Sequence, residues 1–204
     1  MTIATRDNLY GSATDTASDA APTDASAFPA RPISPYVTVN GNPSATSRTA
    51  TVARVAGDLL GGAESIDLGD LPAEALLGRR EDSDIVRVLA AIKAAHVLVV
   101  ATPTDRATCS ALTTSIFELL PHDALRGVVV IPIATGTTRD HFLAVDHVLR
   151  PVVASLQALT TSTAVFASDA DFADDGRPLA RLVDAIDFAV TEALVLSRSL
   201  RGVA

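Results

Sequence analysis

Nine residues, G41-N-P-S-A-T-S-R-T49, bring together the hydroxyls of Ser44, Thr46, Ser47 and Thr49, the guanidinium of Arg48 and a glycine, with no carboxylate among them. Ahead of an amphipathic run, such a group can hold an anion: hydroxyls, free N–H groups at a helix start and the positive end of the helix act on one charge. The alternative is a polar turn in which Ser47 only caps the helix. Neither GxGxxG nor GxxxxGK[ST] occurs here, which argues against dinucleotide binding of the Rossmann kind and against a P-loop NTPase. A second group, Pro103, Thr104, Asp105 and Arg106, follows the apolar run HVLVV at 96–100. Loops at the carboxyl ends of strands are where α/β proteins bind ligands, although a polar loop can also be a solvated turn. A third, A134-T-G-T-T-R-D140, sets Thr135, Gly136 and Thr137 after another apolar run. It suits the border of a planar ring, and an ordinary turn capped by Thr138 is its alternative.

Other chemistry-bearing residues point elsewhere. His141 and His147 fall six apart in one expected helix, so they face different ways and do not chelate one metal; no metal site is expected. Cys109 is the only cysteine, which excludes an intrachain disulfide and a multi-cysteine zinc site and fits a reducing cytoplasm. No activating base is evident beside it, so it is read as a packed side chain. The acidic run SDADFADDGRP at 168–178 lacks EF-hand spacing and reads as a solvated loop. A net charge of −8 gives no basic footprint for nucleic acid or an anionic membrane. The apolar runs are too short to span a bilayer.

These groups need elements to hold them. With 48% hydrophobic residues in 204, the chain can bury one substantial core, built from Ala, Val, Leu and Ile because only 4% of residues are aromatic. Residues 1–34 are dominated by Ala, Ser, Thr, Asp and Pro and contain no apolar h-region, so they are expected to form a disordered or loosely attached tail and not a secretory signal. The domain is expected over 35–204. Strands are expected at 35–39, 64–68, 96–102, 127–135 and 162–168. Helices are expected at 49–60, 71–78, 83–95, 109–120, 138–159 with an interruption at Pro151, and 178–200. The alternation predicts an α/β fold: a five-stranded parallel sheet in the flavodoxin-type order 2-1-3-4-5, a three-layer sandwich with right-handed crossovers. In that order the first and third strands lie side by side while their connections diverge, and the first two loops flank the resulting crevice.

Three stretches together resemble the NADPH-dependent FMN reductase family, in particular the reductases that serve sulfonate monooxygenases. They are GNPSATSRT at 41–49, VVATP at 99–103, and IPIATGTTRDHFLAVDHVLRPVVASLQAL at 131–159 followed by VFASDADFAD. The likeness covers roughly residues 35–200. It implies a flavodoxin-like fold in which Ser44, Ser47, Arg48 and Thr49 hold the FMN phosphate. Pro103, Thr104, Asp105 and Arg106 would lie along the isoalloxazine ring, and Thr135, Gly136 and Thr137 would border it. It also implies hydride transfer from NADPH or NADH to FMN with no side-chain acid or base, delivery of reduced flavin to a partner monooxygenase, and a homodimer or homotetramer. The pattern departs from the family's at four positions: Asp105 and Cys109 stand where aromatic residues are usual, Ala111 where a glycine is, and Thr114 where a lysine is. The aromatic lost at 105 is worth roughly 1 kcal/mol of ring contact. Two further readings share the fold: a protein that has lost flavin reduction and serves as a binding or assembly partner, and an NAD(P)H quinone or azo reductase.

Overall fold

Parallel strands need a crossover after each one, and the helices that supply these crossovers also cover both faces of the sheet. The computed structural model describes residues 34–202, so the expectation for the tail lies, apart from Ser34, outside the described residues. Strands run at β1 Tyr36–Asn40, β2 Glu64–Asp67, β3 Val97–Asp105, β4 Thr108–Cys109, β5 Val129–Thr135, β6 Leu159–Thr160 and β7 Val165–Ala167. The parallel order is β2-β1-β3-β5-β6, with β7 also on β5 and β4 folded back antiparallel on β3. With the β4 arm set aside, this is the expected 2-1-3-4-5 path of a flavodoxin-like sandwich.

Helices α1 (Arg48–Leu59) and α6 (Ala180–Gly202) cover one face, while α3 (Ser83–Ala94), α4 (Ala111–Glu118) and α5 (Arg150–Ser155) cover the other, with the short α2 (Ala73–Leu76) beside them. The period of two along a strand divides β3 between the layers. Val97, Val99 and Ala101 pack with α1 and α6, and Leu98 and Val100 pack with α3, α4 and α5. All seven residues of β5 are buried, as expected of a central parallel strand. Burial of each Val, Leu or Ile contributes roughly 1.5–3 kcal/mol, so a charge at Val99 or Ile131 would break the sandwich.

Two expectations are corrected. First, the strand expected at 162–168 is the shorter β7 at Val165–Ala167, and a further short strand, β6 at Leu159–Thr160, precedes it. Between Val130 and Ile133 on β5 the partner chain advances from Thr160 to Val165, so two residues more than the ladder can pair must leave it. They are held from both sides. Arg150 donates to Thr160 Oγ1 (2.9 Å) and to the carbonyls of Thr161 and Ser162, while the Glu192 carboxylate accepts from the N–H groups of Ser162 (2.6 Å) and Thr163 (3.1 Å). Second, the long helix expected over 138–159 is a 3-10 turn at Arg139–His141, then a π turn at Val145–Leu149 that runs into α5. Pro151 sits in the first turn of α5, where its missing N–H and fixed φ are tolerated. His141 and His147 therefore lie in separate turns.

Parallel register carries the three candidate loops to one edge. Asn40 of β1 is level with Ala101 of β3, and Pro103 of β3 is level with Thr135 of β5. From this point β1 leads outward to β2 and β3 leads the opposite way to β5, which opens the crevice of a topological switch point.

Candidate functional site

The loop between β1 and α1 is shaped by a relay of amide side chains. Buried Asn40 donates from Nδ2 to Asp67 Oδ1 (2.7 Å) and accepts from the N–H of Asn42 (3.0 Å), and Asn42 in turn accepts from the N–H of Ser44 (2.9 Å). Gly41 is pressed between neighbours. Its N–H donates to Ala101 O (2.8 Å), its carbonyl accepts from Ser110 Oγ (2.7 Å), and a Cβ built on it would fall 1.9 Å from Thr113 Oγ1. Only glycine fits. Beyond it, the hydroxyls of Ser44 and Thr46 lie 3.1 Å apart on the exposed rim. Ser47 caps α1 by accepting from the N–H of Ala50 (3.1 Å), and Arg48 opens the helix half-exposed. The loop's own side chains carry donors and no carboxylate, and the first turn of α1 adds N–H groups that point along its axis. Such a donor set fits a phosphate dianion.

The expected polar loop after the third strand is instead a hairpin. β3 continues to Asp105, the chain reverses through Arg106 and Ala107, and β4 returns with Thr104 opposite Cys109 and Asp105 opposite Thr108. Arg106 and Ala107 have φ of 53° and 57°. A two-residue reversal with both residues left-handed matches the twist of paired strands, and it costs a non-glycine residue about 1 kcal/mol or more. The base of the hairpin is tied to the first loop by hydroxyls. Thr102 Oγ1 accepts from the N–H of Ser110 (3.1 Å) and from Thr113 Oγ1 (3.1 Å), and Ser110 both caps α4 and reaches Gly41. Cys109 packs into the core as expected. Burial, outweighing a hydrogen bond with Thr102, pushes its thiol up to about 11, so it stays protonated.

At the end of β5, Thr135 Oγ1 lies 2.6 Å from Thr49 Oγ1, and Thr135 O accepts from Thr104 Oγ1 (3.0 Å). Gly136 follows where a Cβ would meet Thr104 Oγ1 at 2.9 Å and Phe166 at 3.0 Å. Thr138 bonds the carboxylate of Asp140 (2.9 Å) and caps nothing. The expected site residues other than Asp105 thus separate by depth. Thr49, Thr104 and Thr135 form a buried hydroxyl cluster beneath the rim, with Gly136 against it. Ser44, Arg48, Arg106 and Thr137 are exposed on the rim, and Ser47 and Pro103 are half-buried between them.

The acidic run at 168–178 is only partly the solvated loop expected. Asp174 and Asp175 are exposed, but Asp171 is 3% exposed. Asp171 Oδ2 accepts from the Ser168 N–H (2.9 Å) and hydroxyl (2.7 Å), while Oδ1 receives Arg181 Nε (2.9 Å) and Arg139 (3.3 Å). Burial works against ionisation of this carboxyl, and the Ser168 donors, Arg181 and Arg139 together overcome it, holding it down to about 2. The turn so fixed presents Asp169, whose N–H donates to Thr137 O (3.4 Å) and whose carboxylate pairs with Arg48. Phe172 lies beneath the Arg48 guanidinium, 5.4 Å from its ring centroid. The S-x-x-D spacing of Ser168 and Asp171 is a capping-box signal that could have marked this turn. Nothing local marks Ser110 and Thr113 as neighbours of Gly41.

The family model described as NADPH-dependent FMN reductase matches residues 36–173. An FMN reductase (NADPH) of Pseudomonas putida strain KT2440 is 36% identical over 78% of this chain and 83% of its own length. The NADH-dependent FMN reductase SfnF of Pseudomonas fluorescens strain Pf0-1 is 37% identical over 68% of this chain and 78% of its own. Among solved structures, the apo form of an NADH:FMN oxidoreductase (EMOB) superposes with a TM-score of 0.68 at 30% identity, covering 76% of this chain and 88% of that one.

Proposed function

The chain belongs to the NADPH-dependent FMN reductase family, and from that premise we propose that FMN lies across the carboxyl ends of β1, β3 and β5, its phosphate on the first loop and its ring between the hairpin and Thr135–Thr137. The activity is NAD(P)H:FMN oxidoreduction. FMN supplies the acceptor: hydride from the nicotinamide plus one proton converts NAD(P)H and FMN into NAD(P)+ and FMNH2.

The residues of this chain bind and align. Ser44, Ser47 and Arg48, with the N–H groups that start α1, hold the phosphate, and Thr49 fixes that helix against Thr135 (2.6 Å). Pro103, Thr104, Asp105 and Arg106 form the hairpin wall, and Thr135, Gly136 and Thr137 form the facing edge. No side chain serves as acid or base; the protein's share is to hold two rings in contact and keep water from between them. The observation that carries this reading is the convergence, through one hydroxyl network, of a donor-lined helix start and two strand-end loops at the switch point.

The same reading takes 35–204 as the reductase domain of a cytoplasmic homodimer or homotetramer that hands reduced flavin to a separate monooxygenase. Its supports are the single cysteine and the resemblance of the 131–159 block. Among the described residues, no helix is long and apolar enough to cross a membrane.

Steady-state NAD(P)H oxidation with FMN and with riboflavin tests the placement. Ser44→Ala with Ser47→Ala raises KM for FMN roughly tenfold and leaves that for riboflavin, which lacks the phosphate, unchanged. An unaltered KM for FMN overturns it.

A further inference from the structure

We propose that Asp169 competes with the FMN phosphate for Arg48 and thereby sets how quickly flavin leaves. This rests on the reading that the first loop holds the phosphate.

Arg48 is the one cation within the first loop, 41–49, and its guanidinium is engaged from two sides, by the Asp169 carboxylate and by the Phe172 ring 5.4 Å away. Neither partner is free to drift. Asp169 opens the 3-10 turn Asp169–Asp171, in which Phe172 N–H donates to Asp169 O (3.2 Å) and Asp171 N–H to Ser168 O (2.9 Å). That turn is locked from beneath by buried Asp171, held by Ser168 and Arg181. The competing carboxylate is therefore carried on a backbone already held in place before an anion arrives.

Arg48 and Asp169 each remain 48% exposed, so solvent and a ligand reach the pair. At such exposure an ion pair is weak, which makes it exchangeable. A phosphate seated at the start of α1 must either draw Arg48 from Asp169 or share it across a like charge. Both reduce the gain from Arg48 and leave the helix N-terminus and hydroxyls as the main hold. For a reductase whose product is a flavin handed to another protein, a weakened grip on the phosphate favours turnover over retention. It also confines the effect to phosphorylated flavins.

The test is flavin titration, read by fluorescence, with FMN and riboflavin on the full-length wild-type chain, Asp169→Asn, Arg48→Ala and the double variant. FMN release is followed by stopped flow. Asp169→Asn is expected to tighten FMN roughly three- to tenfold, mostly through slower release, with riboflavin unchanged. In the Arg48→Ala background that gain is expected to shrink to near nothing. Asp169→Ser serves as a second variant should the first fail to fold, because the turn's backbone bonds do not use the carboxylate. If the wild type binds FMN and neither variant tightens it, the competition is refuted while the functional reading stands. A gain that is as large without Arg48 assigns the effect to plain repulsion and refutes it too. If the wild type neither binds nor reduces FMN, the functional reading itself fails and this inference falls with it.

Discussion

The loop between β1 and α1 and the hairpin of β3 and β4 lie side by side on adjacent strands, yet they are built on different principles. The loop at 40–48 is shaped by side chains: Asn40 and Asn42 relay through backbone N–H groups, Ser47 caps the helix, and Gly41 fits a slot that closes on any Cβ. Almost every residue has a partner, so few substitutions are neutral. Beyond its base, which Thr102 and Thr104 tie down, the hairpin is shaped by its backbone. Pairing of Thr104 with Cys109 and the left-handed pair Arg106–Ala107 fix its path, and the tip residues are exposed. Away from the residues that tie its base and pack into the core, the exposed tip at 106–108 can change side chains without losing the ladder. The lesson is that two neighbouring strand ends reach the same edge by different means.

That contrast can be broken in a definite order. Gly41→Val should have the largest effect. With the new side chain against Thr113 Oγ1, Ala101 O and Ser110 Oγ, the loop must shift, with a loss of about 2–3 kcal/mol in stability and a rise of more than about tenfold in the Kd for FMN. Chemical denaturation and FMN titration read the two losses, and Thr113→Ala in the same chain should recover part of each.

Next is Asp171→Ala, which leaves Arg139, Arg181 and Ser168 without their common acceptor and should remove about 2 kcal/mol. The same carboxyl gives the wild type an acid limit. Its pKa lies near 2 in the fold against an ordinary 3.8, so its stabilising contribution is complete above 3.8 and is lost as pH falls from there towards 2. Denaturation midpoints across that range should fall more steeply for the wild type than for the variant.

Substitutions in the hairpin should be milder. Asp105→Tyr adds an aromatic ring to the hairpin and removes a negative charge from it, which, with the flavin placed as proposed, should tighten FMN roughly fivefold with little change in stability. Ala107→Gly should be smaller still. It relieves a left-handed φ of 57° and loses some of that gain to the greater freedom of glycine when unfolded, for a net gain of about 0.5 kcal/mol and an unchanged KM for FMN. If the hairpin variants disturb folding as much as Gly41→Val does, the contrast between side-chain and backbone control is wrong.

Much of the architecture could be read from the chain itself. The continuous apolar runs at 96–100 and 127–133 have the character of strands covered on both faces, and strands alternating with helices made the flavodoxin-type order the leading one. What escaped had physical causes. The turn Asp105–Arg106–Ala107–Thr108 has neither Asn-Gly nor Asp-Gly, so the hairpin carries no local signal and depends on the pairing of Thr104 with Cys109. The break between β6 and β7 comes from a mismatch of two residues in register with β5, clamped by Arg150 and Glu192 from different helices. The candidate site was legible in its sequence-local clusters and not in the long-range contacts that support them. Ser44, Ser47 and Arg48 are clustered in sequence, whereas Ser110 lies 69 residues from the Gly41 it supports, and Asp169 lies 121 from Arg48. Asp171 looked like one of a solvated acidic run because its two arginines come from other elements.

The central claim, that this switch-point crevice binds FMN for reduction by NAD(P)H, is tested most directly by titrating FMN into the purified protein with flavin fluorescence while assaying NADPH and NADH oxidation on the same samples. The account predicts saturable binding and nucleotide oxidation that depends on added FMN. Absence of binding up to about millimolar FMN, an affinity weaker than roughly 4 kcal/mol, together with no FMN-dependent turnover, would contradict it.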